Sequence, residues 1–472
     1  MYDPLSPLPA DFINDAEIMA TLAYAAAKKS DRGLIDDLLA KAATAGGLTH
    51  REALVLLDCD LPDMNEKIFA TAMAVKQQLY GKRIVMFAPL YLSNHCVNGC
   101  VYCPYHRQNS HIRRVKLSPD AIRREVVALQ DMGHKRLLLE TGEDPVNSPL
   151  EYVLESIATI YAIKHKNGAI RRVNVNIAAT TVENYRRLHA AGIGTYALFQ
   201  ETYHRAAYAA LHPTGPKSDY DYHATALDRA MDAGIDDVGG GVLYGLNLYR
   251  YDFVGQLLHA EHLEAAKGVG PHTLSVPRVR PADDIDAGAF PNAIDDDTFA
   301  KIVAVLRLAA PYTGIIISTR EAAAARERVL RVGVSQISGG SRTSVGGYAE
   351  EEKSADNSAQ FDVSDRRSLD EVVKWLMDLG YVPSFCTACY REGRTGDRFM
   401  TLVKSGQIAN CCQPNALMTL AEYLQDYAAP ATRELGEKLL AAELTKIPRE
   451  ATRRLAEENL LAIRHGKRDF RF

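Results

Sequence analysis

Short apolar runs alternate with amphipathic stretches from about residue 84 to about residue 337, and this alternation predicts the architecture. Candidate strands cover residues 84–89, 136–140, 172–177, 195–200, 237–244, 272–276, 314–318 and 334–337. The stretches between them have helical spacing and often stop at glycine. Residues 121–132 stop at Gly133, 182–191 at Gly192 and 224–233 at Gly234, where the left-handed helix-ending conformation is open to glycine. Ser118-Pro119-Asp120 supplies a cap and a first-turn proline to the first of these helices. Eight strands alternating with helices predict an α/β fold, a closed parallel (β/α)8 barrel of the TIM type. An open doubly wound sheet needs no eighth strand, and no G-x-G-x-x-G opens the first strand–helix turn.

The ends of the chain have a different pattern. Residues 16–28, 34–43 and 67–80 predict helices, with a break at Pro62-Asp63. A polar, unpatterned stretch at 347–367 marks a boundary. Beyond it Ser368 and Glu371 form a capping box for a helix ending at Gly380, and helices continue to the end, including 449–465 after Pro448. The expected organisation is a helical segment 1–80, a barrel 81–346, a linker 347–367 and a mostly helical domain 368–472.

Composition narrows the function without changing this picture. The 472 residues are 47% hydrophobic with a net charge of −4, enough for a large core and without the basic stripe that nucleic acid requires. No apolar run reaches spanning length, and the first residues form neither a basic n-region nor an apolar h-region. The expectation is a cytoplasmic protein with no membrane partner. The eight cysteines are clustered, which in a reducing compartment points to metal; Cys59 stands alone and reads as a buried thiol.

The first cluster is Cys96, Cys100 and Cys103, a C-x3-C-x2-C triplet directly after the first strand, hence at the C-terminal mouth where barrels place their chemistry. Three thiolates on one loop can hold three corners of an iron–sulfur cube and leave the fourth iron open to a ligand. A partial zinc site or three buried thiols are the alternatives. With an aromatic, Tyr102, before its last cysteine, the triplet resembles the signature of radical S-adenosylmethionine (SAM) enzymes. The preceding Ala88-Pro-Leu-Tyr-Leu-Ser-Asn resembles that family's aromatic amino-acid lyases. The resemblance implies a 4Fe-4S cluster that chelates SAM, with Tyr102 near the adenine.

Other mouth residues follow from the strand ends. In Glu140-Thr-Gly142-Glu143-Asp-Pro the glycine permits close backbone approach and the carboxylate can bind an ammonium. It matches by position the family's Gly-Gly-Glu, which holds the amine of SAM. Asn176 and Glu201 can hydrogen-bond a ribose or a substrate, or be ordinary strand-end polar residues. Gly241-Val-Leu-Tyr-Gly245 resembles the adenine-contacting segment. Arg320, in Ser-Thr-Arg-Glu, needs an anion: Glu321, or the substrate carboxylate that the related lyases bind with this arginine. The glycine-rich loop around Ser341 is expected to complete that pocket, and Tyr91 to wall it or donate to an aromatic substrate.

A second group follows the linker. Cys386 and Cys389 form C-x2-C, and Cys411 and Cys412 lie about two dozen residues on. Chemistry alone leaves a structural zinc site open. C-x2-C-x22-C around Tyr-Arg-x-Gly-Arg-Thr-Gly-Asp resembles the C-terminal cluster domain of the FeFe-hydrogenase maturases among the tyrosine lyases. That resemblance implies a TIM-type radical SAM barrel carrying a C-terminal iron–sulfur domain. Its second 4Fe-4S cluster is held by Cys386, Cys389 and Cys412, with Cys411 not a ligand. A labile extra iron takes a histidine, preferably His272 at the start of the sixth strand, with His262 the runner-up. Arg391 and Arg394 either neutralise charge there or pair with Glu392 and Asp397. The implied reaction is cleavage of L-tyrosine to p-cresol and dehydroglycine, then carbon monoxide and cyanide captured on the extra iron for hydrogenase assembly. Free cysteine is a further cofactor, and a reductant protein and hydrogenase-maturation proteins are the partners. A simple aromatic amino-acid lyase and a non-catalytic metal scaffold are the alternatives. His95, Pro104 and Arg342 depart from the family pattern.

Overall fold

Eight parallel strands close on themselves in chain order: β1 (Arg83–Ser93), β2 (Arg136–Thr141), β3 (Arg172–Asn176), β4 (Tyr196–Ala197), β5 (Val238–Gly241), β6 (Thr273–Ser275), β7 (Gly314–Ile317) and β8 (Gln336–Ser338). β8 returns to β1 through Val85↔Gln336, Met86↔Ile337 and Phe87↔Ser338. The computed structural model describes residues 1–349 and 358–472, so part of the expected linker, 350–357, lies outside the described residues. The strands are near-continuous apolar runs because helices cover the outer face and side chains fill the inner one. β1 is the longest, with ten of its eleven positions buried.

The helix signals act as read. Ser118 accepts from the Ala121 amide, Pro119 sits in the first turn, and Gly133 closes the helix at φ 100°. The capping box of Ser368 and Glu371 is formed at both ends. At the N-terminal side, Pro62 opens the helix Pro62–Tyr80. A helix at His50–Asp58 was not anticipated, although Thr49 and Glu52 cap it reciprocally. Both helices pack on the barrel helix Asp296–Ala309. Among the described residues no helix is long and apolar enough to cross a membrane.

A ninth strand, β9 (Val382–Ser384), was also not anticipated, and it adds to the barrel sheet from outside. It lies parallel to the start of β1, with Arg83↔Val382, Ile84↔Pro383 and Val85↔Ser384. Val85 pairs with β8 and β9 at once, so β9 occupies the β2 side of β1, below the point where β2 begins at Ala88. The barrel strand thus carries the following domain on its own hydrogen-bonding edge.

Candidate active site and second metal site

The loop after β1 brings Cys96, Cys100 and Cys103 to the C-terminal mouth, where they line a cavity of about 240 Å³. Gly142 allows the loop its position. A Cβ there would meet the His95 carbonyl oxygen at 2.3 Å, and Val97 N–H donates to the Glu143 carbonyl at 2.8 Å. Burial pushes the Cys100 thiol up to about 11 and the Cys103 thiol higher still. Such thiols ionise when a metal takes the thiolate. Tyr102 Oη lies 2.8 Å from His212 Nε2, and burial pushes that imidazole down to about 3, so it is neutral.

Four carboxyl groups and three cations line this cavity, and most neutralise one another. Glu201 takes Lys217 Nζ at 2.9 Å, and Glu321 is bridged by Arg278 and Arg280. Glu143 accepts from Asn98 Nδ2 at 2.6 Å. Beside Glu143, whose partner is a neutral amide, two groups are left without an ion pair. The Arg320 side chain makes no ion pair or hydrogen bond among the described residues and lies 3.8 Å from the centroid of the Phe361 ring. Glu140 has the Asn176 amide beside it on β3, and burial raises its carboxyl to about 8. The alternative partner for Arg320, Glu321, is therefore already taken.

Tyr91 lines the cavity, and its hydroxyl donates to Gln360 Oε1 at 2.8 Å. Asn176 and Glu201 line it too. Ser341 does not. The chain turns away at Gly340 (φ 59°), leaving the Ser341 hydroxyl buried and outside the lining, while Ser338 lines the cavity in its place. The glycine-rich loop acts one step removed: the Thr343 hydroxyl donates to the Phe361 carbonyl, and Gln360 N–H donates to the Thr343 carbonyl. Gln360 and Phe361, in the stretch expected as a linker, thus form one wall. Nothing in that polar sequence announced it. Lys217 was also missed, because only the fold brings it to Glu201.

At the other end of the barrel Cys386, Cys389 and Cys412 share a cavity of about 90 Å³ with His272, Arg83, Arg136 and Asp237. Cys386 follows β9 by two residues, and Cys412 projects from the helix Ala409–Asp426. Cys389 and Cys412 interact, which raises the first thiol and lowers the second. His272 Nδ1 is buried, makes no hydrogen bond and lies 3.4 Å from Asp237 Oδ1, and burial lowers the ring so that it is neutral. A neutral imidazole beside three thiols fits a soft metal group. No three His, Cys, Asp or Glu side chains among the described residues converge as they would on a single ion. A cube would bind each thiolate to a different iron. His262 is occupied elsewhere, between the Pro4 carbonyl and Asp228, stacked on Phe12. Arg391 pairs with Asp469 and Arg394 donates to the Phe472 carbonyl, so neither takes Glu392 or Asp397; Glu392 pairs with Arg471.

Comparison with known proteins agrees with this layout. The model of the Radical SAM superfamily matches residues 90–277, and that of the Biotin and Thiamin Synthesis associated domain matches residues 275–382. A crystal structure of HydG, a maturase of the FeFe-hydrogenase, is 54% identical with a TM-score of 0.95, covering 98% of this chain and all of the other. The maturase HydG from Carboxydothermus hydrogenoformans is 38% identical with a TM-score of 0.81, covering 96% and 99%. The 2-iminoacetate synthase of Salmonella typhimurium is 30% identical over 345 residues, 73% of this chain and 88% of the relative.

Proposed function

This chain belongs to the HydG maturase family of radical SAM enzymes, and from that premise we propose that it cleaves the Cα–Cβ bond of L-tyrosine in the cavity at the barrel mouth. The products are p-cresol and dehydroglycine. Carbon monoxide and cyanide formed from the latter are captured at the second metal site as a synthon for the FeFe-hydrogenase active site. The observation that carries this reading is the unpaired guanidinium of Arg320 in the cavity lined by the three cysteines.

Cys96, Cys100 and Cys103 hold the first cluster, and Cys386, Cys389, Cys412 and His272 hold the second with its extra iron. When bound, the first cluster with SAM supplies a 5′-deoxyadenosyl radical, and the second supplies an iron that takes carbon monoxide and cyanide. The protein contributes position and charge. Arg320 grips the substrate carboxylate, since a desolvated guanidinium without a counter-ion is costly until an anion arrives. Phe361 holds that guanidinium flat, and Tyr91, fixed by Gln360, walls the substrate. Glu143 and Asn176 serve the polar groups of SAM and substrate, with Glu201 held by Lys217. The barrel keeps water from the reacting carbon. Free cysteine joins the second site, and a reductant protein and maturation partners act in the cytoplasm.

The test is an anaerobic product assay with iron-reconstituted protein, SAM, L-tyrosine and a strong reductant. All three of p-cresol, cyanide and carbon monoxide are expected. A Cys386→Ser/Cys389→Ser variant should keep p-cresol and lose both gases. p-Cresol alone from the unaltered protein reduces the reading to a simple lyase. Neither p-cresol nor 5′-deoxyadenosine from protein with an intact first cluster abolishes it.

A further inference from the structure

Arg320, Glu140 and Glu143 are the ionisable groups of the mouth cavity that the fold leaves without an ion pair, and of the two acids Glu143 is held by the Asn98 amide at 2.6 Å. An α-amino acid carries the complementary pair, a carboxylate and an ammonium. The proposed reaction adds a requirement at the nitrogen. A nitrogen that is to lose a hydrogen atom needs a lone pair to stabilise the resulting radical centre, and an ammonium has none. Something in the cavity must take its proton first.

We infer that Glu140 is the catalytic base that receives the proton of the substrate ammonium and holds the amine neutral while Arg320 holds the carboxylate. This rests on the lyase reading above. Position supports it: Glu140 is the last residue but one of β2, sits in register with Tyr91 of β1 and Asn176 of β3, and lines the cavity with Arg320. Of the other three carboxyl groups, Glu201 is paired with Lys217, Glu321 with Arg278 and Arg280, and Glu143 accepts from Asn98 Nδ2 at 2.6 Å. The groups that face Glu140 are Tyr91, the Asn176 amide, Glu201 with its Lys217, and Arg320 beyond β7.

The proton count closes. Burial raises the carboxyl to about 8, so near pH 7 the free protein holds Glu140 as the acid. Tyrosine arrives as a zwitterion. On binding Glu140 gives its own proton to solvent, and the carboxylate so formed takes the ammonium proton, leaving a carboxylic acid and a neutral amine. The desolvation that disfavours the lone carboxylate equally disfavours an ion pair, so the cavity favours the neutral pair of carboxylic acid and amine. No electron is transferred in this step.

The experiment compares the reconstituted protein with its Glu140→Gln and Glu140→Asp variants at matched cluster content. The first measurement is calorimetry of tyrosine binding near pH 7 in two buffers of different ionisation enthalpy. Unaltered protein should release close to one proton per tyrosine bound, and Glu140→Gln none. The second is the pH profile of p-cresol formation. Glu140→Gln should lose activity by about 10²–10⁴-fold near pH 7. Its remaining rate should climb by about tenfold per pH unit below the pKa of the amino group, because only substrate that arrives as the free amine reacts. Glu140→Asp should keep the proton release and part of the rate.

Equal proton release in unaltered protein and Glu140→Gln overturns the inference. So does a loss of rate uniform across pH, which marks a structural role. If Glu140→Gln fails to load its cluster, Glu140→Asp decides by the same two readouts, and absence of proton release there overturns the inference. Absence of p-cresol from the unaltered protein would instead remove the lyase reading itself.

Discussion

Arg320 is the residue whose environment says most about what enters the cavity. A guanidinium over an aromatic ring gains cation–π attraction, yet its donors stay unmet until an anion comes. Replacing it with glutamine removes a charge-assisted contact worth roughly 2–3 kcal/mol, so KM for tyrosine should rise roughly 30- to 150-fold in steady-state kinetics, with SAM binding unchanged. An unchanged KM would exclude Arg320 as the carboxylate site. The sequence was readable here because a Ser-Thr-Arg-Glu at a strand end allows only a few partners. Glu140 was written in the same stretch as Gly142 and Glu143, but its freedom depends on which cations its neighbours take, and only the fold settles that. Ser341 was misplaced because a glycine-rich loop signals a turn without saying where its one hydroxyl points.

Among the elements, the stretch 358–367 differs most from its sequence. Its polar composition reads as linker, yet it crosses the mouth and is pinned at several points. Ser364 and Asp365 N–H donate to the Thr319 carbonyl, and Asp365 is paired with the fully buried Arg326 and with Arg367. These contacts fix Gln360 and Phe361 against the site. Asp365→Asn leaves Arg326 as a buried, half-satisfied charge and should destabilise the protein by roughly 3–5 kcal/mol in chemical denaturation. The Asp365 carboxyl is held below its ordinary range by those arginines. Its contribution is therefore fully present above that ordinary range and is lost as pH falls through the lowered value. Acid titration of the variant should lack that component. The barrel helices and strands were legible because period and caps agree. The stretch 358–367 was not, because the contacts that fix it to the barrel, to Thr319, Arg326 and Thr343, are long-range.

For the whole molecule, the two cavities at opposite ends of one barrel explain why both cysteine groups belong to one chain. The barrel and the C-terminal helices are also joined by a buried charge cluster. Glu422, on the helix Ala409–Asp426, accepts from Arg171 at 2.7 Å, lies 3.5 Å from Lys135, and takes the Asp469 N–H at 2.7 Å, all largely out of water. Breaking that buried cluster with Glu422→Gln should cost roughly 3–5 kcal/mol. Calorimetry should show barrel and C-terminal helices unfolding together at a lower temperature; a separate early transition of the C-terminal part alone would refute the coupling.

The ninth strand has a consequence for how the barrel and the C-terminal module hold together. β9 completes β1 as an added peptide completes an open sheet edge, over only three residues, and Pro383 at its centre has no N–H with which to recruit another strand. Without this module the start of β1 would lose its partner over three residues, and Arg171 and Lys135 would lose Glu422.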